Sequence, residues 1–171
     1  MEQRIQQVRT AMENYFGTDS RRIAHALRVT DHARQLLETE AGGRELVLAT
    51  ALLHDIGIPE AERKYGSPAG NLQEIEGPPV AREILEDLGY DEPFIAEACA
   101  IIASHHSPGE VETDNFRIIW DADWLVNLGD ELSFDNEAEL CQAIARIFMT
   151  TTGKELASQI YLKTKKIKIV F

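Results

Sequence analysis

Apolar residues recur at spacings of three and four along almost the whole chain, and this periodicity constrains the fold more than any other feature. Helices that pack on a core carry an apolar stripe with this spacing, whereas half-buried strands alternate apolar and polar residues. Apart from the final residues, Lys166 to Phe171, strand-type alternation is absent. The sequence therefore predicts an all-α protein.

The chain is large enough for one compact domain, because its 171 residues include a hydrophobic fraction of 44%. No Ser-, Gly- or Pro-rich tract divides it, so residues 1–171 are predicted to form a single helical bundle. The apolar periodicity and the capping signals together predict helices over 3–16, 21–39, 45–56, 79–88, 91–106, 115–128, 136–150 and 153–165.

The charge and the cysteine content indicate which kinds of partner and which cellular compartment are expected for the protein. With 17 Lys and Arg against 29 Asp and Glu, the net charge is −12, which disfavours binding of a nucleic acid polymer. Cys99 and Cys141 form no close pair and therefore indicate neither a disulfide framework nor a thiolate zinc site. No apolar run is long enough for a signal peptide or a membrane span. We expect a cytoplasmic protein that does not bind membranes; the sequence is compatible with a homodimer.

The third predicted helix, 45–56, is apolar around its full circumference and is expected to be central. It ends in His54 and Asp55, and a carboxylate in such surroundings must be paired, hydrogen-bonded or bound to a metal. An imidazole nitrogen beside a carboxylate oxygen is a ligand set suited to zinc, iron or manganese. The alternative is structural: Asp55 caps the following loop and His54 bonds a backbone carbonyl.

The other histidines are placed by their helical positions. His25 lies at the edge of the apolar stripe of the second helix and is expected to point inward. His32 lies seven residues later and is interpreted as a surface or packing histidine. His105 and His106 continue the apolar stripe of the helix that begins at Asp91, so at least one of them should face the interior.

A further acidic ligand is expected from the segment around two tryptophans. Asp123 follows Ile119 by four positions, which places it on the buried stripe of its helix. Asp121 follows Arg117 by four positions, and a partly exposed salt bridge is the expected role for it. Asp123 is therefore predicted to be the inner carboxylate.

The order of His25, then His54 and Asp55, then Asp123 resembles the HD-domain metal-dependent phosphohydrolase superfamily, over about residues 21–130. The resemblance implies an all-α HD-type domain in which these four residues bind one divalent metal. It does not extend to the cyclic-dinucleotide phosphodiesterases of the superfamily, since Ile58 stands where they have lysine and their GYP segment is absent.

Members of the superfamily with two metals add His or Glu ligands between the His-Asp pair and the last Asp. In this chain Glu76, His105 and His106 are the candidates for a second ion. The expected cofactor is a divalent transition metal, Mn, Fe, Ni, Co or Zn, present as one ion or as two.

The mechanism implied by the resemblance is hydrolysis of a phosphoester by a metal-activated water. Asp55 or Asp123 would orient or deprotonate that water, and His106 would protonate the leaving oxygen. The partner is then a small phosphorylated substrate, in the first place a nucleotide.

Binding of phosphate needs local positive charge in so acidic a chain. Arg21 and Arg22 precede His25 on its helix, and Arg63 and Lys64 follow the His-Asp pair. These four residues are candidate phosphate ligands, and ordinary solvated charge is the alternative for each pair.

Two further segments carry predictions. The stretch from Gly57 to Pro79 is rich in Gly and Pro, and we expect a broken functional loop there that selects the substrate. The basic end of the chain, with four lysines between 163 and 168, is expected to fold back on the domain.

The sequence therefore favours a metal-dependent phosphohydrolase acting on a nucleotide or another small phosphoester. Two alternatives remain open: a di-iron oxygenase of the HD type, and a non-catalytic nucleotide-binding domain in which the metal is only a structural brace.

Overall fold

A computed structural model of the protein describes residues 1–109 and 111–162, and every regular element in that part of the chain is helical. The all-α prediction is confirmed. The helices are α1 (Glu2–Phe16), α2 (Ser20–Leu36), α3 (Arg44–Leu53), α4 (Ile58–Tyr65), α5 (Gly70–Asp87), α6 (Glu92–Ile102), α7 (Asp114–Glu131), α8 (Glu137–Ile147) and α9 (Thr151–Ala157), followed by a π-helical turn at Ser158–Leu162.

Helix α3 lies at the centre of the bundle, as its apolar composition predicts. It packs against α1, α2, α6 and α7, and every residue from Leu46 to Leu53 is buried. Burial of a leucine side chain contributes roughly 1.5–3 kcal/mol, so this helix is strongly fixed within the bundle. The residues that follow Leu53 are consequently held at a defined position deep in the fold.

Side-chain caps define the starts of several helices, because a short polar side chain there satisfies a free backbone N–H. Asp91 accepts a hydrogen bond from the N–H of Phe94 at 3.1 Å, as its position before α6 predicts. Asp19 caps α2 in the same way, through the N–H of Arg22 at 3.1 Å.

The expectation of a broken loop over 57–79 is wrong. The segment contains α4 and the first half of α5, and Pro78 and Pro79 lie inside α5. Each of these two prolines removes one backbone hydrogen bond, yet the helix continues through both of them. The carbonyl of Pro78 accepts a hydrogen bond from the thiol of Cys99 on α6 at 3.4 Å.

Two glycines allow α5 to approach its neighbours closely. A Cβ on Gly57 would lie 2.5 Å from the backbone nitrogen of Gly77, and a Cβ on Gly77 would lie 2.7 Å from the side chain of Ile102. Glycine at both positions lets α5 pack on the turn after α3 and on α6. Gly57 and Gly77, which suggest a loop in the sequence, thus lie where packed elements contact each other.

Helix α8 ends earlier than the periodicity predicts, at Ile147. Helix α9 continues into the π-helical turn that reaches Leu162, and residues 163–165 of the predicted last helix lie outside the described residues. The basic end and the alternating stretch Lys166 to Phe171 lie outside the described residues. Within the described ranges, no helix is both long enough and apolar enough to cross a membrane.

Candidate metal centre

Four side chains from α2, the end of α3 and α7 meet at one point. The Nε2 atom of His25 lies 3.2 Å from Nε2 of His54, 3.1 Å from Oδ1 of Asp123 and 3.4 Å from Oδ2 of Asp55. His54 Nε2 lies 3.4 Å from Asp55 Oδ2 and 3.5 Å from Asp123 Oδ1. The structure therefore brings together the four residues predicted as ligands of the first metal.

The five separations that involve His25 or His54 match the edges of a metal coordination sphere. Donor atoms about 2.0–2.2 Å from a metal lie roughly 2.8–3.6 Å from their neighbours in octahedral or tetrahedral geometry. All five measured separations fall between 3.1 and 3.5 Å. Imidazole nitrogen and carboxylate oxygen suit a divalent transition metal, so the donor set fits such an ion.

Backbone carbonyls orient two of the imidazole rings. His54 donates from Nδ1 to the carbonyl of Ala51 at 2.8 Å, and His105 donates from Nδ1 to the carbonyl of Ile102 at 2.7 Å. In a neutral ring this leaves the lone pair on Nε2, the atom that faces the cluster in both residues. Histidine ligands of metals are commonly fixed by such a bond from their other nitrogen.

The electrostatics of the cluster favour a cation. Burial opposes protonation of His54, but Asp55 and Asp123 outweigh it and raise its pKa to about 9. Burial also opposes ionisation of the two carboxyl groups, yet the adjacent histidines hold the pKa of both well below the usual range. Two buried carboxylates that stay ionised require positive charge beside them, which a divalent metal supplies.

A second group of ligand atoms shares Asp55 with the first. The ligand atoms of Asp55, His105 and His106 all lie within 4.8 Å of one another. Asp55 Oδ1 is 3.5 Å from Nε2 of His105, whereas its Oδ2 faces His25 and His54. Nε2 of His105 is buried and has no hydrogen-bond partner among the described residues, as expected of an atom suited to a metal.

The first turn of α5 holds His106 in place. Gln73 donates from Nε2 to the carbonyl of Pro68 at 2.7 Å, so its Oε1, 3.3 Å from Nε2 of His106, accepts from that ring. Glu74 accepts from the N–H of His106 at 2.9 Å and from the hydroxyl of Ser107 at 3.0 Å.

These bonds define the state of the His106 ring. Because Nε2 donates to Gln73, the lone pair of the neutral ring lies on Nδ1. Partial burial and the neighbouring His105 lower the pKa of His106 to about 4, so the ring is neutral at pH 7. A Cβ on Gly70 would lie 2.8 Å from this ring, and α5 reaches His106 because that position is glycine.

Glu76, a candidate for the second metal, is bound elsewhere. Its carboxylate is buried and pairs with Lys64 through one oxygen and with the hydroxyl of Tyr65 through the other, the latter at 2.9 Å. It belongs to neither group of clustered ligand atoms within the described ranges, and neither does His32.

A cavity of about 630 Å³ opens over the two groups. Asp55, Asp123, His25 and His106 contribute to its lining, whereas the buried His54 and His105 do not. The volume lies within the range of small-molecule sites, roughly 300–1,000 Å³.

Arginines of α2 form one side of this cavity. Arg21 and Arg22 line it as the sequence predicts, and so does Arg28, which sequence reasoning missed. Arg22 is already paired with Glu62 at 2.6 Å. Neither Arg21 nor Arg28 makes an ion pair with the described residues within 4.0 Å. The helical spacing of Arg21, His25 and Arg28 is a signal that could have identified Arg28.

Arg63 and Lys64 are not among the residues that line the cavity. Arg63 forms a bidentate interaction with Glu60, its Nη2 lying 2.6 Å from Oε2, and Lys64 pairs with the buried Glu76. The structure therefore places this predicted pair of phosphate ligands in interactions within α4 and between α4 and α5.

Asn127 is a further residue that sequence reasoning missed. It lies one helical turn after Asp123 and donates from Nδ2 to Asp123 Oδ1 at 2.8 Å. This is the oxygen that faces His25 and His54. The amide thus fixes the orientation of the Asp123 carboxylate, and the i, i+4 spacing is the only signal of it in the sequence.

The expected role of Asp121 is wrong. Asp121 is fully buried and does not pair with Arg117. Its carboxylate accepts hydrogen bonds from the N–H of Met149 at 2.7 Å, from the N–H of Thr150 at 2.8 Å and from the Thr150 hydroxyl at 2.6 Å. Helix α7 is covered by α2 and α3 on one side and by α9 on another, so two carboxylates on different faces are both removed from solvent.

Comparison with known proteins identifies this arrangement. The family model described as "HD domain" matches residues 22–128, a span that contains His25, His54, Asp55 and Asp123. The chain belongs to the HD domain family.

A solved structure supports this membership of the HD family over nearly the whole chain. The protein is similar to a predicted HD superfamily hydrolase from an uncultured Thermotogales bacterium, with a TM-score of 0.67 and 25% sequence identity. The match covers 98% of this chain and 88% of that one. No curated protein shows significant similarity to the chain.

Proposed function

We propose that this HD domain is a metal-dependent phosphohydrolase that cleaves a nucleotide or another small phosphoester. The observation that carries the proposal is that three of the four converging ligand residues, His25, Asp55 and Asp123, line a cavity. Its α2 side also presents Arg21 and Arg28, which make no ion pair with the described residues. A metal centre beside arginines that can bind phosphate oxygens is a combination suited to phosphoryl transfer.

His25, His54, Asp55 and Asp123 would hold a divalent metal, which supplies a Lewis acid and lowers the pKa of water when bound. Arg21 and Arg28 project from the helix of His25 and would bind the phosphate oxygens of the substrate. Since Asn127 engages Oδ1 of Asp123, the other oxygen, Oδ2, is the one to accept a hydrogen bond from the attacking water.

His106 is proposed to act at the reacting atoms through Nδ1. As a neutral ring it must first take up a proton before it can protonate a leaving oxygen, so the acid role stays a prediction. A His106→Ala variant that retains its metal and its full turnover would remove the residue from the mechanism.

A second candidate function is an oxygenase with two irons. The specific observation in its favour is the second group of ligand atoms, in which Asp55 faces His105 with one oxygen and the first group with the other. A carboxylate between two sets of imidazoles is well placed to bridge two ions.

One experiment separates the two functions. The protein is loaded with Mn, Co, Ni, Zn or ferrous iron and supplied with a panel of nucleotides and with p-nitrophenyl phosphate, while phosphate release and oxygen uptake are followed together. Phosphate release without oxygen uptake supports the phosphohydrolase. Oxygen uptake with ferrous iron alone favours the oxygenase, and neither signal in a metal-loaded protein contradicts both.

A further inference from the structure

A second cavity, of about 540 Å³, lies away from the metal centre and shares none of the residues that line the first one within the described part of the chain. It is built where the loop before α7, the start of α7, the end of α8 and α9 come together. Nothing in the proposed chemistry uses this region, so its composition needs a separate explanation.

The charge of this second cavity is opposite to that of the protein. Among the described residues, Arg117, Arg146 and Lys154 line it together with one acid, Glu112, in a chain whose net charge is −12. The only ion pair within 4.0 Å made by any of these cations with the described residues joins Arg117 to the exposed Asp114, at 3.6 Å.

Cations elsewhere in the described residues are commonly paired at much shorter distances. Arg9 lies 2.7 Å from Glu13, and Arg82 lies 2.8 Å from Glu92. An acidic chain offers many partners, so a group of cations left nearly free at a concave surface marks a local attraction for anions.

The floor of the second cavity is apolar. Val111, Met149 and the edges of the buried Phe116 and Phe148 line it beside the cations. Met149 keeps 37% of its surface exposed, which makes it one of the few large exposed hydrophobic side chains among the described residues. A ligand that matches both features carries an anionic group together with a small apolar body.

We propose that this second cavity binds an organic phosphate or phosphonate at a site separate from the metal centre. The anionic group lies among Arg117, Arg146 and Lys154, and the apolar part of the ligand covers Met149. Binding here does not depend on the proposed phosphohydrolase activity, because the site contains none of the candidate metal ligands.

The segment that forms the floor is fastened to α7. The N–H groups of Met149 and Thr150 both donate to Asp121, which lies two positions before the candidate ligand Asp123. A ligand in contact with Met149 therefore contacts a segment that is hydrogen-bonded to α7, the helix that carries Asp123.

The test is titration of the uniformly ¹⁵N-labelled, zinc-loaded protein with phenylphosphonate, followed residue by residue in amide NMR spectra. Phenylphosphonate has a P–C bond that phosphoester hydrolysis does not cleave, and inorganic phosphate serves as the probe without an apolar part. We expect saturable shifts at the amides of Val111, Arg117, Met149 and Lys154. Because only phenylphosphonate covers the apolar floor, we expect it to bind there about tenfold more tightly than phosphate.

Two charge-matched variants locate the binding. Arg146→Gln with Lys154→Gln removes two exposed cations from the second cavity and should abolish the shifts at its amides. Arg21→Gln with Arg28→Gln removes two cations from the metal cavity and should leave those shifts intact. Shifts confined to the metal cavity, or shifts of full size at the second cavity after loss of Arg146 and Lys154, would overturn the proposal. Equal affinity for phenylphosphonate and phosphate would contradict the proposed contact between the apolar part of the ligand and Met149.

Discussion

The Nε2 atoms of His25 and His54 lie 3.2 Å apart, although the residues are separated by 29 positions and belong to different helices. The carbonyl of Ala51 fixes the proton of His54 on Nδ1, so a neutral His54 offers only a lone pair toward His25. Two carboxylates complete the set at 3.1 to 3.5 Å. An ion held between these atoms would satisfy all of them at once.

Arg28 is predicted to bind the phosphate of the substrate. Replacement by Gln should raise KM roughly 10- to 100-fold and change kcat little, because losing a charge-assisted hydrogen bond to the bound substrate weakens binding by about 1.5–3 kcal/mol. Steady-state kinetics on the phosphoester with the highest turnover provides the measurement.

The matched control for Arg28 is Arg63→Gln, which removes an arginine that is held by Glu60 and does not line the cavity. Its KM should equal that of the unmodified protein. Equal effects of the two substitutions would show that net charge, rather than a contact with the substrate, is responsible.

Asn127 is predicted to orient Asp123 for metal binding. Asn127→Ala should weaken metal affinity about 10- to 100-fold, the usual effect of losing a partner that orients a metal ligand. Competition with a chelator of known affinity measures the change. Asp130→Asn, in the wall of the same cavity, is the control and should change affinity much less. An unchanged affinity for Asn127→Ala would exclude the orienting role.

Gly70 is predicted to be needed for the position of His106. Gly70→Ala introduces a Cβ 2.8 Å from the ring, so it should displace His106 and reduce the amount of any second metal bound, while the first ion is retained. Elemental analysis gives the ratio of bound metal to protein. Asn71→Ala, at the next and exposed position of α5, should leave the ratio unchanged. A Gly70→Ala protein that binds as much metal as the parent would contradict the role predicted for Gly70.

Asp121 is predicted to act in stability rather than in metal binding. Asp121→Asn places an amide against two backbone N–H donors and should lower the free energy of unfolding by about 2–4 kcal/mol, the range for breaking a buried polar network. Urea denaturation measures it. Asp114→Asn, at an exposed site on the same helix, should change stability by less than about 0.5 kcal/mol. Loss of metal with unchanged stability in Asp121→Asn would reverse this assignment.

The helices and the first ligand set were predictable because they depend on local periodicity. The apolar stripes indicated which residues face the core, and a His-Asp pair at the end of an entirely apolar helix had to be compensated there. The order of these residues along the chain then supported the resemblance to the family.

The contacts that hold His106, the helices over 57–79 and the burial of Asp121 could not be predicted, because they depend on residues far apart in sequence. Glu74 holds the backbone of His106 from 32 positions away, and no local pattern indicates that pairing. The prolines and glycines between 57 and 79 predicted a loop by their intrinsic preferences, but packing against Ile102 and Gly57 stabilises a helix there. Spacing likewise could not show that α9 covers the face of α7 that carries Asp121.

Metal binding by the clustered His and Asp residues is tested by elemental analysis of the protein, purified without chelator, beside a variant with both His54→Ala and Asp55→Ala. We expect about one or two equivalents of Mn, Fe, Ni, Co or Zn in the parent protein and almost none in the variant, with both proteins still helical by circular dichroism. Equal and negligible metal in both, persisting after reconstitution with each ion, would contradict it and would make the His-Asp pair a structural feature of the fold.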